Sequence, residues 1–130
     1  MSLIINKESA DKVEKILERF VEESGATYVL LTDMGGGMLF ESGADVVSYN
    51  GDALAVLSAA NYAATNEIAK LIDEESFSLL FHRGNNENIH FTKVSPDVLM
   101  IVLFKPFLSL GLLRLKIGKI QDEIASLLGK

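Results

Sequence analysis

Between Ser9 and Glu23, apolar Ala10, Val13, Ile16, Leu17, Phe20 and Val21 recur every three or four positions, with Asp11, Glu14, Lys15, Glu18 and Glu22 on the other side. That spacing predicts an amphipathic helix, ended by Gly25. The period then shortens. Thr27 to Thr32 and Met38 to Ser42 are β-rich runs joined by Asp33-Met34-Gly35-Gly36-Gly37, which predicts a β-hairpin closed by a glycine turn.

Asp52 to Ile72 predicts a long helix, with Asp52 or nearby Asn50 available as its cap. It lacks the charged face of a solvated helix. At about 100° per residue, Leu54, Leu57, Ile68, Leu71 and Ile72 gather on one side and Val56, Ala59, Ala60 and Ala63 roughly opposite. The larger side chains are expected to face the core and the small ones a partner, because apolar surface of this extent is normally covered. Asn61 falls on the side assigned to the core, where its amide needs hydrogen-bond partners and should tie the helix to a loop or sheet end.

Phe77 to Arg83, Asn88 to Val94 and Val98 to Phe104 predict three strands, with short turns at Gly84-Asn85-Asn86 and Ser95-Pro96-Asp97 that imply an antiparallel meander. Val98 to Phe104 is apolar on both faces and should lie centrally, with helices above and below. Leu113 to Ile117 alternates like a strand, but Leu113, Ile117, Ile120, Ile124 and Leu127 keep helical spacing, and length favours a helix capped by Ser109. The order is helix, two strands, long helix, three strands, helix. Segregated elements of this kind make an α/β sandwich of the α+β type and disfavour a doubly wound nucleotide-binding fold.

A length of 130 residues suits a single domain, 1–130, with a real core. The net charge of −6 argues against a nucleic-acid partner, since no window clusters Lys or Arg with aromatics. With no cysteine there is neither a disulfide framework nor a thiolate metal site, which fits a cytoplasmic location. Ser2 to Ile5 is too short for a signal-peptide core, and no apolar run approaches the ~20 residues needed to cross a bilayer, so membrane insertion is not expected.

Catalytic signatures are sparse. Gly35-Gly36-Gly37 leads into a strand and is followed by no Lys-Ser or Lys-Thr, so it reads as a turn and not a phosphate cradle. His82 and His90 flank the Gly84 turn and could meet across a hairpin, but no third ligand accompanies them and no metal site is expected. Ser, His and Asp occur without a Gly-x-Ser-x-Gly elbow, and Asp73-Glu74-Glu75 reads as a solvated turn. No catalytic residue and no cofactor are assigned. Gly111 in Leu110-Gly111-Leu112-Leu113-Arg114 suits close helix packing.

Four segments in order carry a family likeness between Val13 and Leu128. They are Val29-Leu30-Leu31-Thr32-Asp33 with its glycine turn, Leu54 to Leu71 with Ala59-Ala60-Asn61, Phe77 to Gly84 with Phe81-His82-Arg83-Gly84, and Ser109 to Leu115. On these the chain resembles the Roadblock/dynein-light-chain family, and within it the bacterial regulators of small GTPases. The resemblance implies a three-layer sandwich, with a five-stranded antiparallel sheet, the long helix on one face and the terminal helices on the other. It also implies a homodimer in which third strands pair edge to edge and the long helices lie side by side. The dimer interface it implies here is Ala55, Ala59, Tyr62, Phe77, Leu79 and Phe81.

The same resemblance implies a small Ras-like GTPase as partner, with hydrolysis accelerated by reordering the GTPase's own switch regions and no inserted arginine finger. The implied partner face is Val56, Ala59, Ala60, Ala63, Asn66, Glu67 and Lys70, with Ala63 central. Glu67 departs from the pattern by placing a charge where a small or neutral residue is expected. No tail continues far beyond Leu128, so no function that depends on one is expected. Because other family members are scaffolds, a non-catalytic adaptor is the competing expectation; a small-molecule sensor would require an enclosed polar pocket.

Overall fold

The computed structural model describes residues 5–43, 49–77 and 80–129. Helix α1, Lys7–Ser24, starts at Asn6, whose side chain accepts from the Ser9 N–H at 2.8 Å, and stops at Gly25 in the left-handed region, φ 78°. Strands β1, Tyr28–Asp33, and β2, Met38–Gly43, form the expected hairpin. Helix α2 spans Gly51–Leu71, capped by Asn50 through the Ala53 N–H at 3.1 Å. Strands β3, Leu80–His82, β4, Asn88–Ser95, and β5, Val98–Phe104, follow, and α3, Leu110–Leu127, is capped by Ser109.

The strands form one antiparallel sheet in the order β2-β1-β5-β4-β3. β5 is central and buried along its whole length, as its two apolar faces require. Alternation splits the core in two. Val29, Leu31, Met100, Val102 and Phe104 meet Val13, Leu17 and Phe20 of α1 and Leu113, Ile117 and Ile124 of α3 on one face. Tyr28, Leu30, Phe91, Leu99, Ile101 and Leu103 meet α2 on the other. The fold is thus a three-layer α+β sandwich with one long helix against two terminal ones.

Three sequence expectations need correction. The first concerns which face of α2 is buried. Gly51, Ala55, Ser58, Ala59 and Ala69 point into the protein, while Leu57, Ile68, Leu71 and Ile72 are 67%, 54%, 84% and 59% exposed. The sheet already supplies large side chains to this layer, so small residues of the helix fill its centre, and of the larger ones Leu54 and Tyr62 pack half-buried against it. Gly51 shows how tight the approach is. A Cβ there would stand 2.9 Å from both Glu41 Oε1 and the Tyr28 hydroxyl, which donates to Glu41. Burial, that hydrogen bond and the Glu41 and Asp52 charges together raise the Tyr28 phenol well above its ordinary pKa.

The second correction is the extent of the third strand. Phe77 lies outside any strand, Leu79 is outside the described residues, and among the described residues β3 is Leu80–His82 at the sheet edge. The third is the histidine pair. His82 pairs in register with Ile89, and Phe81 with His90, so the two rings project from opposite faces of the sheet and cannot share a metal ion. His82 packs edge-on against Phe91 under α2, and His90 is buried on the α1/α3 face with its Nδ1 3.2 Å from the Leu80 carbonyl.

Candidate functional site

The exposed surface of α2 divides into two flanks, each fixed by a contact with the sheet layer. Val56 marks the first flank. Gly36, in the β1–β2 turn at φ 95°, comes so close that a Cβ would lie 2.9 Å from the Val56 Cα. The turn is held by Asp33, whose Oδ1 accepts from the Gly35 and Gly37 N–H groups at 2.9 and 2.8 Å. Asn61 marks the second flank, since its Nδ2 lies 3.3 Å from His82 Nε2 in β3. The amide therefore ties the helix to the sheet end, the structural role expected for it.

Helical spacing distributes the other residues between these landmarks. Val56, Ala60, Ala63, Glu67 and Lys70 follow one another at intervals of four, three, four and three along the hairpin side, all exposed. Lys70 Nζ and Glu67 Oε2 are paired at 2.9 Å, so the charge at Glu67 is partly neutralised within the stripe. Leu57, Ala64, Ile68 and Leu71 follow on the β3 side, and all are exposed as well. The helix closes with Asp73 in the left-handed region, φ 62°, where the Glu74 N–H reaches the Ala69 carbonyl at 2.8 Å and the Asp73 N–H reaches Lys70 at 3.2 Å. That is a Schellman closure with an aspartate where glycine is usual.

The sequence-derived partner residues are therefore only partly brought together. Val56, Ala60, Ala63, Glu67 and Lys70 share one exposed stripe, and Asn66 is half-buried at its edge. Ala59, 5% exposed, lies inside the protein and cannot touch a partner directly. Of the residues assigned to a dimer interface, Ala55 is fully buried and belongs to the protein's own core, and so does Ala59. Tyr62 is half-buried against the α2-side core. Phe77 is 41% exposed, and Phe81 stacks on Phe104 with ring centroids 6.0 Å apart.

Leu57, Ile68 and Leu71 are the residues that sequence reasoning missed at the surface. One signal for them was available. Ala55, Ser58, Ala59, Tyr62 and Ala69 also keep helical spacing, and the four small ones among them are what a helix needs to lie close on a sheet crowded with Tyr, Phe and Leu. Among the described residues no group of three or more His, Asp or Glu could hold a metal ion, and no helix is long and apolar enough to cross a membrane.

A central helix over an antiparallel sheet in the order 2-1-5-4-3, with terminal helices behind, is the pattern that comparison with known proteins identifies. Residues 12–104 match the Roadblock/LC7 domain. The chain belongs to the Roadblock/LC7 family. It is similar to MglB of Myxococcus xanthus, 34% identical with a TM-score of 0.82, covering 88% of this chain and 93% of that one. It is similar also to the gliding protein MglB of Thermus thermophilus, 28% identical with a TM-score of 0.86, covering 98% of this chain and 96% of that one. An uncharacterized protein of Aquifex aeolicus is 22% identical over 129 residues, 98% of this chain and 80% of that protein. In this Roadblock chain, α2 is the element that leaves large side chains uncovered on both flanks.

Proposed function

We propose that this Roadblock protein is a homodimeric regulator of a small, MglA-like Ras-type GTPase, acting in the cytoplasm with residues 1–130 as one domain. The observation that carries this reading is the two-flanked surface of α2, on a chain 34% identical to an MglB. The flank bearing Leu57, Ile68 and Leu71 adjoins the β3 edge through Asn61 and His82, so helix pairing and strand pairing would form one continuous interface. It would cover apolar side chains worth about 1.5–3 kcal/mol each when fully buried and remove an unpaired sheet edge. The other flank, Val56 to Lys70, then remains for the GTPase.

Helix α2 contains no arginine, and its one lysine is paired to Glu67. A regulator built this way accelerates hydrolysis by binding the competent arrangement of the partner's switch regions better than the alternatives, and only that difference in affinity counts. The enzyme is the partner. The lack of an insertable cation on α2 suits a non-catalytic scaffold equally well, which is the second reading.

Multiple-turnover GTP hydrolysis by the small Ras-like GTPase of the same organism, with this protein at catalytic and at stoichiometric amounts, separates the two. Faster turnover at catalytic amounts supports the activator. Binding without acceleration supports the scaffold, and neither binding nor acceleration overturns both.

A further inference from the structure

Nine large apolar side chains are exposed among the described residues, and six of them belong to α2 and the segment just after it. The other three lie just before α3 and in its first turns. Phe107, Leu112 and Leu115 are 85%, 60% and 60% exposed at the beginning of α3, where neither the dimer nor the GTPase proposed above would cover them. Leu112 and Leu115 are neighbours on one side of the helix by their three-residue spacing.

A groove between α1 and α3 begins at Lys116, one helical turn along α3 from Leu112. Its floor is Ile16, Phe20 and Ile120, and its rim carries Lys12, Lys15 and Arg19 from α1 and Lys116 and Lys119 from α3. Only two carboxylates, Glu23 and Glu123, line the same groove. Five of the chain's twelve cations are thus gathered at one place in a protein of net charge −6. Among the described residues none of the five is in an ion pair, although Lys70 and Lys105 are paired elsewhere.

We propose that this groove seats an acidic amphipathic helix of a second protein partner. The helices bordering it are antiparallel, since Lys12 lies with Leu127 at one end and Glu23 with Lys116 at the other. A third helix laid between them would meet Ile16, Phe20 and Ile120 on the floor and cations along the rim. From Lys116 to Leu127 the groove is about 16 Å long at ~1.5 Å per residue, and Leu112 adds about one turn of exposed apolar surface beyond it, so a partner helix of roughly four turns spans both. A flat anionic membrane fits less well. Asp11, Glu18 and Glu22 are exposed on the side of α1 turned away from the sheet and would face the headgroups, whereas a single helix in the groove avoids them. The surface is separated from α2 by the sheet, so both faces can be occupied together, and the proposal stands independently of the GTPase reading.

The test is fluorescence anisotropy with a labelled Leu/Glu amphipathic peptide of about 15 residues, titrated with the full chain. Saturable binding that weakens with ionic strength is expected, with affinity falling about tenfold or more in the double variant Lys116→Glu/Lys119→Glu and in Leu112→Ser. Circular dichroism and oligomeric size should be unchanged in both variants. The same peptide with Gln for Glu should not bind. Absence of saturable binding, or equal affinity in the double variant, overturns the proposal. Binding to phosphatidylglycerol vesicles with that charge dependence, while the peptide fails, overturns it in favour of lipid.

Discussion

Asn61 of α2 and His82 of β3 stand 3.3 Å apart, amide to ring nitrogen, and this contact joins the long helix to the edge of the sheet. It sets Leu57 and Ile68 beside the edge strand Leu80–His82. A helix flank and a strand edge that individually offer little become one surface.

Replacing Ile68 or Leu71 by Asp should convert the proposed dimer to monomers. Because a two-fold interface uses each residue twice, the loss is about 3–6 kcal/mol, or roughly two to four orders of magnitude in dissociation constant. Light scattering across a dilution series checks this, and a variant that stays dimeric at the wild-type concentration would remove this flank from the interface.

Ala63→Arg should leave folding and dimerisation intact, because Ala63 is exposed and lies on the other flank. Binding of the proposed GTPase partner should fall by about tenfold or more, measured by calorimetry. Unchanged binding would dissociate the Val56–Lys70 stripe from partner recognition.

Gly36→Ala should destabilise the protein by about 1–3 kcal/mol, since the position has φ 95° and its Cβ would press within 2.9 Å of the Val56 Cα. Urea unfolding measures the effect. An unchanged midpoint would mean that the hairpin does not rest on α2.

Asp73→Gly should have the opposite sign. The residue is held at φ 62° with both Schellman hydrogen bonds already made, so relieving the side chain's steric cost should stabilise by about 0.5–1 kcal/mol. A rise of a few degrees in Tm is the expected readout, and a fall would contradict it.

His90 is buried beside the Leu80 carbonyl, and burial holds its pKa below the ordinary 6.5, with the Arg114 charge acting in the same direction. The neutral ring is favoured in the folded state, so this contribution is complete above the ordinary value and is lost as pH falls through it towards the lower folded value. Comparing urea midpoints of wild type and His90→Gln across that range isolates the effect. The wild type should lose more stability on acidification than the variant, and parallel curves would exclude His90 as the source.

Much of this architecture was legible from local chemistry. Val98 to Phe104 was recognisable as the central strand because both its faces are apolar, and Ser109 and Gly25 were recognisable as helix ends because each satisfies backbone groups that the helix leaves open, whereas for α2 the sequence offered Asp52 or Asn50 and the structure selects Asn50. The Asp33 to Gly37 turn was equally clear, as its glycines suit the backbone that the Asp33 carboxylate then holds. The third strand was overextended because Phe77 carries a strand-like side chain, whereas strand membership depends on a hydrogen-bonded neighbour, which β4 supplies from Leu80 to His82.

The sequence by itself determined the elements, their order and the existence of a long helix apolar on more than one side. Only the tertiary structure decided which side is inside. Periodicity places residues around a helix axis but says nothing of the space available on each side. Here Tyr28, Leu30, Phe91, Leu99 and Ile101 fill the layer beneath α2. The helix approaches them most closely through Ala55, Ser58 and Ala59, with Leu54 and Tyr62 half-buried beside them, and packing density turns Leu57, Ile68 and Leu71 outward.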